Sequence, residues 1–186
     1  MKLPGPWESG YVLDHHTISS VPTGDPYHPF DTKRTELGEL VYQFKYSGKM
    51  ESVAAIVDTA EDFLRNRWED LGPLDCVLPA PPSLPRKLQP VVVLARELAA
   101  RLKIPTSEDA VVKIKPSQPM KNIPRVDRRA ILDEAIQRGD GDVKGKRILL
   151  VDDLIESGST LSRVTEVLLK EGGASAVYVL VMTRTK

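Results

Sequence analysis

Arg147-Ile148-Leu149-Leu150-Val151 and Ala176-Val177-Tyr178-Val179-Leu180-Val181-Met182 are two unbroken apolar runs. Between them Leu161, Val164, Val167 and Leu168 recur at helical spacing and end at Gly172-Gly173. Short apolar runs bounded by turn residues suit strands buried on both faces, and the spaced residues suit a helix with a glycine cap. The turn signal Asp140-Gly141-Asp142 precedes the first run. Strand, helix of about 12 residues, strand is a βαβ unit, so the two strands should lie parallel with a right-handed crossover.

Working outward, Leu74-Asp75-Cys76-Val77-Leu78 and Val111-Val112-Lys113-Ile114-Lys115 read as further strands. With them the expected fold is α/β, a parallel sheet of at least four strands with flanking helices. Leu37, Leu40, Val41 and Phe44 mark a helix that stops at Ser47-Gly48. Val53, Ile56, Val57, Ala60, Phe63, Leu64, Trp68 and Leu71 trace one face of a second helix, of about 21 residues, closed by Gly72-Pro73. Trp68 reads as a core aromatic. Val91 to Leu102 reads as a third helix, and Ile131 to Ile136 fits a helical turn or an extended run equally well. Residues 1–36 are rich in proline and glycine, with Tyr11-Val12-Leu13 as one short strand. They are expected to form a small loop-rich cap contributing to a hood over the α/β domain of residues 37–186.

Composition narrows the function. The chain has 186 residues, 41% hydrophobic and 28% charged, which supports the core of a single domain. Lys plus Arg number 26 and Asp plus Glu number 26, so net charge is zero and neither a nucleic-acid coat nor a polybasic membrane contact is indicated. The lone Cys76 excludes an intrachain disulfide and a cysteine-built zinc site. No apolar stretch reaches the roughly 18 residues of a membrane span, and Met1 to Pro6 lacks the apolar segment of a secretory leader. A cytoplasmic domain is expected.

One segment speaks about chemistry: Val151-Asp152-Asp153-Leu154-Ile155-Glu156-Ser157-Gly158-Ser159-Thr160. Two carboxylates leave an apolar strand, and a loop of small hydroxyl residues around a glycine opens a helix. Gly158 allows a tight turn, and the helix start offers unpaired N–H groups and the positive end of its dipole. Ser157, Ser159 and Thr160 add hydroxyl donors, giving a nest for a phosphate monoester. Ionised carboxylates only accept hydrogen bonds, so Asp152 and Asp153 suit a diol. Together these features suit a ribose 5-phosphate. A Walker B strand also ends in two acids, but no Gly-x-x-x-x-Gly-Lys-Ser/Thr loop is present. A receiver domain carries its acidic pair near its start, and a plain helix-capping cluster leaves the pair and the Ser-Gly-Ser-Thr run unexplained together. Asp14-His15-His16 lacks the distributed ligands that a metal site needs.

Val151 to Thr160 resembles the phosphoribosyl diphosphate (PRPP) motif of type I phosphoribosyltransferases: apolar residues, Asp-Asp, three positions, then Thr/Ser-Gly-x-Thr. Leu40 to Gly48 and Pro79-Ala80-Pro81-Pro82-Ser83-Leu84-Pro85-Arg86 are similar to the opening and the Pro-Val-Pro loop of the ComF-like branch. The resemblance spans residues 37–186. It implies that Asp152 and Asp153 hold the ribose hydroxyls, directly or through Mg²⁺, and that Glu156, Ser157, Gly158, Ser159 and Thr160 hold the 5-phosphate. Mg²⁺ is implied as the cofactor, arriving with the substrate, with Asp152 and Asp153 as the protein's candidate ligands. It further implies diphosphate contacts from Ala80, Pro81, Arg86 and Lys87, with a cis peptide near Ala80-Pro81. A basic lid carrying Lys115, Gln118, Lys121 and Arg125 would close over the diphosphate. The branch's zinc knuckle is absent, its Arg-Gly-Phe-Asn-Gln is replaced by Lys87-Leu88-Gln89-Pro90, and its later Arg-x-x-Asn is not matched, Arg125 standing one position off. The implied activity is transfer of the phosphoribosyl group from PRPP to a nitrogen base or amine, with room for a homodimer. Tyr42, Phe44 and Tyr46 serve either as a stacking surface for that base or as helix packing. The alternative is a non-catalytic PRPP or nucleotide sensor, or a DNA-uptake accessory protein. The basic run lacks the aromatics of a single-strand binder.

Overall fold

The computed structural model describes residues 1–82, 88–114 and 131–185. Strands β1 (Ser9–His15), β4 (Cys76–Pro79), β7 (Arg147–Ile155) and β8 (Ala176–Arg184) form a four-stranded sheet in the order β1-β8-β7-β4. Every neighbouring pair in it is parallel, as expected from the βαβ unit. Strands β7 and β8 are the buried centre: Ile148 to Val151 and Val179 to Val181 have no exposed surface. That double-sided burial is why their sequences are continuous rather than alternating.

Helices cover both faces. On one lie α1 (Glu36–Ser47), α2 (Glu51–Asn66) and α3 (Pro90–Leu102). There Val41, Phe44, Ile56, Leu94 and Leu98 pack with Leu149, Val151 and Leu180 of the sheet. On the other lies α4 (Ser159–Glu166), which continues as one π-helical turn, Val167–Glu171. Its Leu161, Val164 and Leu168 pack on Ile148, Leu150 and Val179.

Four expectations are corrected. Helix α2 ends at Asn66, short of Gly72, because the N–H groups of Arg67 and Trp68 both donate to Phe63 O. The apolar period runs on since Trp68 still packs, with ring centroids 4.9 Å from Tyr11 and 6.2 Å from Tyr178. The strand expected at 111–115 does not join the sheet over its described residues, 111–114. Residues Val111–Lys113 (β5) pair antiparallel with β6 (Ile136–Arg138) in a separate ribbon. Val111 is buried but Val112 and Ile114 are exposed, the one-sided burial of a ribbon rather than of a central parallel strand.

The fourth place in the sheet belongs instead to β1, so the front segment is less loop-rich than its prolines suggest. It also carries a hairpin, β2 (Thr17–Pro22) with β3 (Phe30–Arg34). Finally, β7 runs four residues beyond Val151, pairing Asp152 with Val181 and Leu154 with Thr183. Residues 131–135 are helical and Ile136 starts β6, so both readings of that stretch hold in succession. Cys76 is buried as a small apolar residue, and burial pushes its thiol pKa up. Among the described residues no helix is long and apolar enough to cross a membrane.

Candidate functional site

Because β7 continues through the acidic pair, Asp152 and Asp153 are neighbours in a strand and their side chains leave opposite faces. Asp153 points toward α1, where Val151 also points. Asp152 points toward α4. The side chain of Asp153 is 9% exposed, and Lys45 of α1, 20% exposed, closes on it. Lys45 Nζ donates to Asp153 Oδ1 at 2.9 Å and lies 2.8 Å from Oδ2, so one ammonium engages both oxygens.

The placement of Lys45 is built from the start of α1. Thr35 caps the helix, accepting from Gly38 N at 2.9 Å, and donates through the same hydroxyl to His15 O at 2.6 Å. Gly38 lets the first turn press on the end of β1, since a Cβ there would overlap the His16 carbonyl oxygen. With its first turn clamped, α1 carries Lys45 to Asp153 in its last turn and ends at Gly48 (φ 67°), as the Ser47-Gly48 stop predicts. Beneath the pair, Thr183 Oγ1 donates to Asp153 O at 3.2 Å. A threonine hydroxyl has one proton, so His16 Nδ1–H must be the donor in the 3.1 Å contact with Thr183 Oγ1. Burial first, then Arg34 and Lys45, lowers the pKa of His16.

Asp152 is half-buried, and its Oδ1 accepts from the backbone N–H of Asp153 at 2.8 Å. Burial, then the adjacent charge of Asp153, pushes its carboxyl up to about 8, with Lys45 pulling the other way. Lys113 of β5 feels the Asp152 charge, while burial lowers the lysine's pKa.

Past Ile155, Glu156 and Ser157 are exposed and Gly158 turns at φ 77° into α4. Ser157 Oγ and Ser159 Oγ lie 3.1 Å apart, and Gly158 O accepts from Ser162 N at 2.9 Å. Ser159 and Thr160 open the helix, and the N–H groups of a first helical turn have no intrahelical acceptor. Ser159 N donates to Ser157 Oγ at 3.5 Å, so hydroxyls and first-turn amides share one turn, with Asp152 on the α4 side of the strand that leads into it.

Ala80 N donates to Val151 O at 2.8 Å, which brings Ala80 and the buried Pro81 beside the start of the acidic pair. No described peptide bond is cis, so the cis peptide expected near Ala80-Pro81 is absent. Arg86, Lys87, Lys115, Gln118, Lys121 and Arg125 lie outside the described residues. Of the three α1 aromatics, Phe44 is core. Tyr42 and Tyr46 pair at 5.0 Å, and the Arg34 guanidinium carbon sits 3.5 Å from the Tyr42 ring centroid. The sequence reading does not place Lys45, His16 or Thr183 at this site, and it weighs His16 only as part of a metal motif. Only Lys45 carried a signal, as part of the Leu40 to Gly48 resemblance.

The donor set does not suit a resident Mg²⁺. Among the described residues no group of three or more His, Cys, Asp or Glu gathers at one point. Both oxygens of Asp153 are held by Lys45, and the Asp152 carboxyl is biased toward its protonated form. As they stand, these acids do not fit an ion bound by the protein alone.

Residues 91–186 match the family described as phosphoribosyl transferase domain. No curated protein matches the chain in sequence. Among solved structures, an adenine phosphoribosyltransferase is similar at 13% identity and TM-score 0.50, covering 88% of this chain and 84% of that one. The enzymes of the same name from Thermoanaerobacter pseudethanolicus and Saccharomyces cerevisiae are similar at 14% and 11% identity, with TM-scores of 0.47 and 0.48. The first alignment covers 91% of this chain and 96% of that one, the second 88% and 83%. At 13% identity the first of these likenesses speaks to the fold alone.

Proposed function

The chain belongs to the phosphoribosyl transferase domain family, and from that premise we propose that it binds PRPP and transfers its phosphoribosyl group to a nitrogen base or amine. The observation that carries this reading is the turn 156–160, with Gly158 in the left-handed region, following directly on a strand that holds two acids. Glu156, Ser157, Gly158, Ser159 and Thr160 are proposed to cradle the 5-phosphate with amides and hydroxyls. Asp152 is proposed to meet the ribose hydroxyls, with the Asp153–Lys45 pair beside it. Ala80 and Pro81 border the diphosphate, with Arg86, Lys87 and the run containing Lys115, Gln118, Lys121 and Arg125 as its cationic partners. Residues 1–36, through the β2–β3 hairpin, are proposed to contribute to a hood. Leu40 to Gly48 supports a ComF-like placement within the family.

In the reaction the acceptor nitrogen forms a bond to C1 of the ribose while the bond from C1 to the diphosphate oxygen breaks. The acceptor nitrogen loses a proton and diphosphate leaves. The chain's task is positioning. The substrate is the magnesium complex of PRPP, with the ion carried by the diphosphate.

Isothermal calorimetry with magnesium PRPP, on the native chain and on Asp152→Asn, tests the pocket. Saturable binding that Asp152→Asn weakens is expected, and no binding by the native chain overturns the reading. Diphosphate release with a panel of bases and amines then tests turnover. Binding without release across the panel would identify the sensor. Its support is the loss of the Arg-Gly-Phe-Asn-Gln and Arg-x-x-Asn patterns.

A further inference from the structure

We propose that Lys45 is the built-in counter-cation of Asp153, so that the acidic pair is not a resident divalent-metal site and Asp152 alone is left to meet the sugar. Lys45 is therefore a positioning residue that acts through Asp153. The inference deepens the phosphoribosyl reading and takes its meaning from it.

Three observations converge. One ammonium lies 2.8–2.9 Å from both oxygens of Asp153, hydrogen-bonded in the place a bound cation would take. Both side chains are largely buried, so the pair is not a passing surface contact. The neighbouring Asp152 carboxyl is occupied by the chain as well, its Oδ1 accepting from Asp153 N at 2.8 Å. Asp153 is enclosed on its remaining sides: its carbonyl accepts from Thr183, which His16 in turn supports. Arg34 and Lys45 add positive charge around His16, and Glu39 lies against Arg34 at 3.3 Å.

Two things follow. A divalent ion would enter with the diphosphate rather than wait on the protein. Helix α1, which carries Tyr42 and Tyr46, is tied by Lys45 to the strand below the sugar.

The test is titration with Mn²⁺, as a probe for Mg²⁺, without PRPP. The native chain and Lys45→Arg are expected to show no saturable Mn²⁺ binding at micromolar concentrations. Lys45→Gln and Lys45→Met, checked for native near-ultraviolet circular dichroism, should bind Mn²⁺ at least about tenfold more tightly than the native chain, since affinity follows the uncompensated ligand charge. Adding Asp153→Asn to either should remove the gain. A folded Lys45→Gln that gains no Mn²⁺, or a gain that survives Asp153→Asn, overturns the proposal. Micromolar Mn²⁺ binding by the native chain that Asp153→Asn abolishes overturns it without any lysine variant. Failure of PRPP to bind in calorimetry removes the substrate reading and leaves the Mn²⁺ result to judge Lys45 on its own.

Discussion

Cutting the Lys45–Asp153 link from either side should cost far more than cutting it from both. The ammonium lies 2.8–2.9 Å from the carboxylate oxygens, and the side chains are 20% and 9% exposed. At an effective dielectric of about 20, charges about 3 Å apart attract by roughly 5 kcal/mol, and much of that offsets the loss of hydration of both groups. The intact pair is therefore close to neutral against an uncharged replacement. Asp153→Asn strands a largely buried ammonium, and Lys45→Met strands a buried carboxylate while keeping the apolar stem. Each should cost about 3 kcal/mol. The double substitution should cost about 1 kcal/mol or less, rather than the roughly 6 kcal/mol of the two singles added, because no buried charge is left without its partner. Urea unfolding of the four proteins near neutral pH, followed by circular dichroism, measures it. Repeating the cycle in high salt should leave most of the coupling in place, because buried pairs are poorly screened. Single effects that sum to the double within about 0.5 kcal/mol would refute the reasoning.

Gly158→Ala should destabilise the chain by roughly 1–2 kcal/mol, because alanine resists the left-handed conformation and its Cβ would lie 3.3 Å from Ile155 Cδ1. It should also weaken PRPP binding, and a thermal midpoint equal to that of the native chain would count against the turn as described. Asp152→Asn should become more stabilising as pH rises. The folded carboxyl is pushed up from its ordinary 3.8 to about 8 by burial and Asp153. Between those values the native state binds the extra proton, so the parent loses stability with rising pH while the amide does not. The difference should be absent near pH 4 and reach a few kcal/mol above pH 8. Urea midpoints of both proteins at pH 5 and pH 9 that move in parallel would contradict it.

The parts of the fold legible in the sequence were those whose burial leaves a one-dimensional trace. Leu149 and Val151 meet one helical layer, and Ile148 and Leu150 meet the other. A strand with apolar residues at every position has few other homes. Strand β1 was harder because only Tyr11, Val12 and Leu13 stand out among glycine and polar neighbours, and its partner lies at the far end of the chain. Strand β5 misled because two valines read alike in a sheet and in a ribbon. The acids were found but their setting was not. Aspartate is a poor strand former, so the strand was ended before Asp152, whereas ladder pairing with β8 overrides that preference through Ile155. Lys45 could not be tied to Asp153 by any local pattern, because 108 residues separate them.

The sheet order places the first strand of the chain against the last. Strand β1 has β8 as its neighbour in the ladder, and β8 also completes the pairing of β7. Residues 9–15 therefore emerge from the ribosome long before the residues they dock on, and they wait while nearly all of the remaining sequence is made. During synthesis the Lys45 helix can form, but the floor on which it seats is closed only when residues 176–184 arrive. Any nascent fragment ending before Ala176 carries two strands without their common partner, and such fragments are natural clients for chaperones.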